Sequence, residues 1–320
     1  PPDSSRIERP MNFERDTVAS AVVDRRHPDS RPMLGIVLML VSGFMFVTMD
    51  MLAKYGAEDL PVPIIVWGRY VFHLAIMIAL FPGTRFRRMW KTKRPIALSL
   101  RGGLLAACTL GFFLAIATVP LAEANAITFA SPLFMVALSI PLLGEKVGWR
   151  RWAAVVIGFL GILMIVRPGF QQMHWAYLLL LAVALMFALY AIMTRQLSRD
   201  EDPMVMLFYT GLVGALGASL AAPFYWQTPS VQQWLLLLAI GAIGGASHLI
   251  IIYAFKRASA SMLAPFQYPM IIWSVLYGYY IFDDVPDAWT IAGATIIISS
   301  GLYVWLRELR LARRSLEPSA

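Results

Sequence analysis

The sequence has little charge and almost no cysteine, and both shortages narrow what the chain can be. Only 14% of its 320 residues are charged, whereas 59% are hydrophobic. A soluble protein of this size needs more charged surface, so the composition favours a chain embedded in a membrane. The single cysteine, Cys108, lies in an apolar stretch and excludes a disulfide framework. Cysteine and histidine nowhere have the spacing of metal ligands, and we expect neither a metal nor a cofactor.

The net charge of +8 and the pI near 9.7 raise two kinds of partner, nucleic acid and anionic lipid. The basic residues lie between apolar stretches and not on one soluble domain, which argues against nucleic acid and favours membrane lipids. Residues 1–32 are rich in Arg, Asp, Ser and Pro and are too polar for a signal peptide. We expect them to form a disordered cytoplasmic tail.

Apolar stretches in the rest of the chain predict ten transmembrane helices, because about 20 mostly apolar residues cross a bilayer. The predicted spans are Leu34–Lys54, Pro63–Phe81, Ile96–Thr118, Ala122–Leu143, Arg150–Val166, Trp175–Thr194, Met204–Phe224, Gln232–Phe255, Ala260–Phe282 and Ala288–Leu306. The connections between them are too short to fold as soluble domains. The predicted fold class is therefore an all-α integral membrane protein.

Lysine and arginine concentrate in every second connection and near both termini, and we expect residues 309–320 to form a cytoplasmic tail. The other connections carry mainly acidic residues, with Lys54 and Arg167 as exceptions. Because short cytoplasmic loops are the basic ones, this alternation predicts a multi-pass protein with both termini in the cytoplasm. We expect the membrane to be the bacterial inner membrane.

An internal repeat relates the two halves of the chain. Pro132 and Pro269 each lie within an apolar span and are 137 residues apart, as are Trp152 and Trp289. A unit of five spans ends on the opposite side of the membrane from its start, so its second copy is inverted. Inverted repeats of this kind are typical of secondary transporters. The two predicted five-helix repeats are residues 33–168 and 169–308.

The run from Ala122 to Ala126, followed by Ser131-Pro132-Leu133-Phe134 and then Gly144-Glu145, resembles a motif of the EamA-type drug/metabolite transporter superfamily. The second half keeps Pro269 but has Tyr268 in place of the serine. The resemblance extends over roughly Leu34–Leu306. It implies ten helices in two inverted repeats and the movement of small metabolites, in bacteria most often the export of amino acids, including aromatic ones.

The two prolines interrupt hydrogen bonding inside their helices. Pro132 has no N–H to offer the carbonyl of Thr128, and Pro269 has none for that of Pro265. In a membrane bundle such freed carbonyls either bind a substrate or allow the helix to flex as a hinge. The alternative is a static kink that a neighbouring side chain fills. We assign Pro132 and Pro269 as candidate hinges.

Arg69 is the most informative charge because it falls in the second turn of a predicted span. A buried arginine costs about 2.5–3.5 kcal/mol on insertion scales, so it needs a partner or a function. Its guanidinium suits a substrate carboxylate. The alternatives are that Arg69 reaches the membrane surface or pairs with Asp50 or Glu123.

Other polar and aromatic residues within the spans predict an apolar cavity with a few polar side chains that hold the substrate. His73 lies one helical turn from Arg69, and His248 lies within the eighth span. Gln267 and Tyr268 flank the second proline. Phe113, Tyr253 and Tyr277 belong to the wider aromatic group. The candidate substrate-binding residues are Trp67, Arg69, His73, Phe112, Tyr209, His248, Gln267, Tyr268 and Trp273.

These features predict a secondary transporter that exports amino acids or related metabolites, preferably aromatic or apolar ones, by alternating access. Its partners are an amphiphilic or zwitterionic substrate and membrane lipids, and we expect a monomer or a weak homodimer. An importer of a nucleoside-linked or sugar-linked metabolite is the alternative. An intramembrane enzyme is a further one, but it needs converging acid, base or metal groups, and the spans offer only scattered candidates.

Overall fold

The protein is described from a computed structural model that covers residues 32–131, 133–134, 137–138, 149–166, 174–197, 200–257, 263–267 and 269–314. Within these ranges every regular element is helical, which confirms the all-α prediction for them. The α-helices are α1 (Pro32–Gly56), α2 (Val62–Leu80), α3 (Thr84–Met89), α4 (Pro95–Ile116), α5 (Leu121–Thr128), α6 (Trp149–Val166), α7 (Trp175–Leu197), α8 (Pro203–Ala221), α9 (Val231–Arg257), α10 (Met270–Phe282) and α11 (Ala288–Arg314).

Six of the described helices, α1, α2, α4, α7, α8 and α9, are long and apolar enough to cross a membrane. Three shorter apolar helices lie within α6, α10 and α11. Eight of the ten predicted spans correspond to one helix each, since only the fourth and the ninth are interrupted.

The last helix is longer than predicted. α11 continues past Leu306 to Arg314, so the predicted C-terminal tail begins inside a helix. No glycine or proline occurs between these residues, and Leu, Arg, Glu and Ala are all good helix formers. The helix therefore continues beyond the apolar segment, and the end of that segment was the basis for the predicted helix end.

The fourth predicted span is not one continuous helix. α5 ends at Thr128, and in the turn that follows the N–H of Ala130 donates to the carbonyl of Ile127 at 2.9 Å. Pro132 lies four positions after Thr128 and has no N–H to donate to the Thr128 carbonyl. Pro132 itself lies outside the described residues. The expected bend is thus an interruption of the helix.

The ninth predicted span is interrupted as well. A 3-10 segment, Ala264–Gln267, precedes Pro269, which is the N-cap of α10. The carbonyl of Pro269 accepts from the N–H of Ile272 at 3.0 Å, so a new helix starts at the proline. Proline suits a helix start because its missing N–H has no intrahelical partner there.

The helices pack mainly against elements far away in the sequence. α1 packs along α9, α4 along α7, and α6 along α11. α2 and α8 contact each other; α2 also contacts α9, and α8 also contacts α4. The short helices α5 and α10 contact each other, α1 contacts α10, and α7 contacts α5. The two halves of the chain therefore share one core.

Two glycines allow α6 and α11 to touch. A Cβ added to Gly161 would lie 2.8 Å from the carbonyl oxygen of Gly293, and one added to Gly293 would lie 2.5 Å from that of Gly161. A larger residue at either position would force the backbones apart. Small residues at such crossings are typical of helix pairs in membranes.

One end of the bundle is joined by contacts between two connections. Arg94 and Asp200 form an ion pair at 3.0 Å, and the hydroxyl of Thr92 donates to Glu201 at 2.6 Å. These bonds link the segment before α4 to the segment before α8. We call this the basic end, because residues 85–94 carry several lysines and arginines.

The opposite end is held by Lys54, near the C-terminus of α1. Its ammonium donates to the carbonyl of Val119 at 2.9 Å and to the carboxylate of Asp284 at 3.1 Å, and it lies 5.0 Å from the centre of the Phe282 ring. We call these four residues the acidic-end contact. The acidic residues at this end are Glu58, Asp59, Asp283, Asp284 and Asp287.

Candidate functional site

A buried cation between α2, α4 and α9 is the centre of the candidate site. Arg69 is 5% exposed. One guanidinium nitrogen, Nη1, donates to the hydroxyl of Thr109 on α4, and Nη2 lies 3.4 Å from Nε2 of His248 on α9. Pro61 and Pro63 start α2 just before this point, which sets Arg69 in its second turn. The arginine therefore does not reach the membrane surface.

Aromatic rings and a hydroxyl chain fix the guanidinium. The centre of the Tyr70 ring is 4.7 Å from Cζ of Arg69, and that of Phe113 is 5.9 Å away. The hydroxyls of Tyr70 and Thr109 are 2.9 Å apart, and Thr109 donates to the carbonyl of Leu105 at 2.9 Å. Such cation–π contacts stabilise a desolvated arginine without neutralising its charge.

Glycines make room for His73, one turn along α2. A Cβ added to Gly245 would lie 3.4 Å from the His73 ring, and one added to Gly211 would lie 3.7 Å from its Nε2. A Cβ added to Gly244 would lie 3.5 Å from Nε of Arg69. α8 and α9 thus present backbone to this side of α2. We call Arg69, Tyr70, His73, Thr109 and His248 the Arg69 cluster.

Two nitrogens of the cluster have no hydrogen-bond partner among the described residues. They are Nε of Arg69 and Nε2 of His73, and both are buried. An unpaired buried polar group costs about 1–3 kcal/mol, and more when it is charged. Native proteins retain such groups mainly where a ligand, an ion or water satisfies them. The cluster therefore has an unused donor on Arg69 and an unpaired ring nitrogen on His73.

Neither of the alternative partners considered for Arg69, Asp50 and Glu123, forms an ion pair with it among the described residues. The ion pairs of the described residues join Lys54 to Asp284 and Arg94 to Asp200. Glu123 instead accepts from the hydroxyl of Tyr177 at 2.7 Å and from that of Thr290 at 3.3 Å, near the acidic end. Its carboxylate holds the ends of three helices together, and so it is not available to Arg69.

Asp50 on α1 is buried, at 6% exposure, and it interacts electrostatically with Arg69. No nitrogen of Arg69 lies within 4.0 Å of a carboxylate oxygen of Asp50, so the two residues do not form an ion pair. Within the described part of the chain, Asp50 forms no side-chain hydrogen bond either. Asp50 is therefore a buried carboxyl near Arg69 that forms neither an ion pair nor a side-chain hydrogen bond among the described residues.

The two tryptophans of the predicted site lie apart from the cluster. Trp67 donates to the hydroxyl of Ser219 at 3.1 Å, and its ring packs against Trp226 and Trp234 at the acidic end. It joins α2 to the start of α9. Trp273 is 37% exposed and meets Phe44 edge to face at 5.1 Å, so it joins α10 to α1.

The remaining aromatic candidates lie on other faces of the bundle. Phe112 packs beside Cys108 and Val183, between α4 and α7. The neighbouring Phe113, and not Phe112, lies next to Arg69. Tyr209 belongs to the apolar cluster that includes Phe208, near the basic end.

Near the second proline, the 3-10 segment that contains Gln267 packs on α1 and α11. Tyr268, the other predicted contact residue, lies outside the described residues. The structure thus brings Arg69, His73 and His248 together, and it places the other described candidates elsewhere.

Sequence reasoning missed a second buried arginine. Arg101 on α4 is 6% exposed and donates to Thr194 at 2.7 Å, to Thr210 at 3.0 Å and to the hydroxyl of Tyr190 at 2.8 Å. It also donates to the carbonyl of Met206 at 3.3 Å. All of its nitrogens are used, so Arg101 binds α4 to α7 and α8. A charge within a predicted span was the available signal.

Two cavities flank the cluster without reaching Arg69. One of about 540 Å³ opens at the basic end. Its lining is Phe81, Arg88, Met89, Lys91, Asp202, Met204, Val205 and Tyr253. The other, of about 160 Å³, lies between α5, α10 and α11 and includes Ala122 and Thr290. Four of the five residues of the Arg69 cluster are buried in this structure, at 6% exposure or less.

Helices long enough to cross a membrane that surround a buried charged site are typical of one class of protein, the multi-pass membrane transporters. The sequence model of the EamA-like transporter family matches residues 33–167 and, a second time, residues 174–306. The chain belongs to this family, as its resemblance to the EamA-type superfamily predicted.

Curated relatives of the chain are transporters as well. It is 30% identical to the S-adenosylmethionine uptake transporter of Rickettsia prowazekii (strain Madrid E), over 86% of this chain and 93% of the relative. It is 30% identical to the riboflavin transporter of Vibrio cholerae over 88% and 96% of the two chains. Identity to the pseudopaline exporter CntI of Pseudomonas aeruginosa is 29%, over 82% and 93%. The chain is accordingly a transporter and not an enzyme.

A solved crystal structure shares the fold. Its TM-score to this chain is 0.59 at 20% sequence identity, and the match covers 87% of this chain and 99% of the other. At that identity the likeness concerns the arrangement of the helices alone.

Proposed function

We propose that this transporter is a secondary carrier for small zwitterionic metabolites with an aromatic or apolar remainder, such as amino acids, and that it exports them. The observation that carries this proposal is Arg69, a buried cation with a free Nε and no carboxylate within ion-pair distance in the described residues. A substrate carboxylate would satisfy both the charge and the free donor. The cation–π rings beside it suit an apolar substrate body.

We further infer ten spans in two inverted five-helix repeats. The family model supports this, because it matches the two halves separately. The packing order supports it too. Exchanging each helix for its counterpart in the other half turns the pair α1–α9 into α7–α4 and the pair α1–α10 into α7–α5, and all four pairs are in contact. The alternation of basic loops supports a location in the inner membrane with both termini in the cytoplasm.

The interrupted helices support alternating access as the mechanism. α5 and α10 contact each other, and each is bounded by an interruption near one of the two prolines. Short helices with broken backbones at membrane depth can tilt about the interruption while the long helices keep their packing. We therefore keep Pro132 and Pro269 as the proposed hinges.

Import is the second candidate, and specific relatives favour it. One is an S-adenosylmethionine uptake transporter and another a riboflavin transporter, whereas the pseudopaline relative is an exporter. S-adenosylmethionine carries an amino-acid head on a nucleoside, so a carboxylate bound by Arg69 is compatible with both candidates. Direction of transport then depends on the gradient of the solute.

Counterflow in proteoliposomes tests the proposal. Vesicles are loaded in turn with each amino acid and with S-adenosylmethionine, with and without a pH gradient, and uptake of the labelled solute is followed. We expect trans-acceleration by zwitterions with apolar side chains. Arg69→Gln should lower the apparent affinity by about tenfold or more, the worth of a charge-assisted hydrogen bond. Arg87→Gln, at an exposed cation of α3, is the control.

Two results would count against the proposal. One is the lack of saturable exchange for every amino acid and for S-adenosylmethionine by correctly folded protein. The other is an Arg69→Gln variant with the affinity and rate of the unmodified chain.

A further inference from the structure

We propose that Asp50 determines the specificity of this site by binding the ammonium group of the substrate, so that Asp50 and Arg69 together select a zwitterion. This inference rests on the proposed function. It adds a second charge of opposite sign and a second helix, α1, to the recognition of the substrate.

The first argument is the position of Asp50 on α1. Phe46, one turn before it, packs its ring 4.9 Å from that of His248, a member of the Arg69 cluster. Met49 faces the same part of α9, since a Cβ added to Gly244 would lie 2.9 Å from its sulfur. Residues four apart share a helix face, so Asp50 lies on the face that Phe46 turns to α9.

The second argument is that Asp50 and Arg69 meet at one level of the bundle. A Cβ added to Gly244 would contact Met49 and would also lie 3.5 Å from Nε of Arg69. This nitrogen is the one without a hydrogen-bond partner. Nε of Arg69 therefore borders the region between α9 and the Met49–Asp50 turn of α1. A larger residue at 244 would occupy this region.

The third argument is the charge balance. A buried carboxylate without hydrogen bonds is unfavourable, and a distant guanidinium offsets only part of that cost. A bound α-amino acid would place its carboxylate on Arg69 and its ammonium on Asp50. Both groups of an α-amino acid are attached to one carbon, so this ligand suits a buried guanidinium and a buried carboxyl on neighbouring helices that do not pair with each other.

The alternative for Asp50 is a purely structural carboxylate that balances the charge of Arg69 from a distance. The two roles differ in what they predict for ligands. A structural Asp50 supports every ligand of Arg69 equally. An ammonium-binding Asp50 matters only for ligands that carry an ammonium.

The experiment compares three probes on the full-length chain in nanodiscs or proteoliposomes. They are L-phenylalanine, 3-phenylpropionate, which lacks the ammonium, and phenethylamine, which lacks the carboxylate; S-adenosylmethionine is a second zwitterion. Asp50→Asn should weaken L-phenylalanine by about ten- to a hundredfold, the range for a charge-assisted bond, and leave 3-phenylpropionate within about twofold. Arg69→Gln should weaken 3-phenylpropionate and spare phenethylamine.

Two further variants guard against a folding defect. Asp50→Glu keeps the charge and should retain the preference for L-phenylalanine over 3-phenylpropionate, whereas Glu58→Gln removes an exposed carboxylate and should change nothing. Melting temperatures and gel-filtration profiles report the folded state of each variant.

The outcomes separate this inference from the proposed function. Equal weakening of L-phenylalanine and 3-phenylpropionate by Asp50→Asn overturns the inference and leaves the proposed function intact. An unmodified chain that binds neither L-phenylalanine nor S-adenosylmethionine contradicts both.

Discussion

Breaking the acidic-end contact should open that end of the bundle. The contact joins α1 to the segment before α5 and to the turn between α10 and α11, through Lys54, Val119 and Asp284. Thr48 and Tyr277, whose hydroxyls are 2.8 Å apart, continue the same seam between α1 and α10. In a carrier that works by alternating access, these bonds exist only while the acidic end is closed.

The size of the effect follows from exposure. The Lys54 and Asp284 side chains are 14% and 28% exposed, so water screens the pair only in part. An exposed ion pair is worth about 0.2–1 kcal/mol, and a hydrogen bond from a charged donor is worth about 1.5–3 kcal/mol. Allowing for screening, Lys54→Ala should weaken the closed state by about 1–2 kcal/mol, which corresponds to about five- to thirtyfold in the ratio of states.

The assay is the rate of thiol labelling below the contact. Ala122, at 6% exposure, lines the small cavity beneath the α10–α11 turn, and Cys108→Ala removes the native cysteine. Labelling of Ala122→Cys by a water-soluble reagent should accelerate in Lys54→Ala and in Asp284→Ala by the factor given above. Swapping the two charges should restore part of the slow rate.

A matched control lies at the other end. Arg94→Ala breaks the ion pair of the basic end, whose side chains are 52% and 58% exposed, and should not accelerate labelling of Ala122→Cys. The reasoning is refuted if Lys54→Ala is folded and labels at the rate of its parent, or if Arg94→Ala accelerates labelling equally.

Three further predictions concern the scaffold. Arg101→Leu should lower the stability by about 2–5 kcal/mol, because bonds to three side chains of α7 and α8 are lost at about 0.6–1.7 kcal/mol each and their acceptors stay buried; a melting curve measures this, with Arg87→Leu as control. Gly161→Leu should destabilise by at least about 1–3 kcal/mol by overpacking α6 against α11, whereas Gly217→Ala, which meets nothing within 4 Å, should be neutral. Pro269→Ala should lower the turnover number in counterflow and leave the apparent affinity unchanged, and equal turnover would contradict a hinge.

Much of the scaffold followed from periodic properties of the sequence. Apolar length and the positions of Pro and Gly predicted eight spans as single helices, because both properties act locally. The fourth span was predicted as continuous, and the same local rule explains afterwards why α5 ends at Thr128, four residues before Pro132. The end of α11 was missed because helix propensity continues where hydropathy has already fallen.

Much less of the site could be predicted, because it depends on which helix faces meet. Arg69, His73 and His248 were selected as polar residues within apolar spans, and they do lie close together. The same criterion selected Trp67 and Tyr209, which pack elsewhere. Sequence periodicity predicts that a residue lies inside the bundle. It does not predict which side chain the residue contacts, because that depends on how helices distant in sequence pack together.

The two buried arginines show why a charge alone does not identify a site. Arg69 and Arg101 are both buried within apolar helices, and both stack on a tyrosine ring. They differ in their neighbours, since Arg101 uses every nitrogen whereas Nε of Arg69 is free. In this part of the internal repeat the two copies are 141 residues apart, which pairs Trp67 with Phe208 and Arg69 with Thr210. Thr210 accepts a bond from Arg101. Arg69, in the first half of the chain, therefore keeps an unused donor for a ligand. Its counterpart in the second half, Thr210, provides a hydroxyl that completes a structural bond. A repeat can duplicate a scaffold while the site depends on the positions at which the two copies differ.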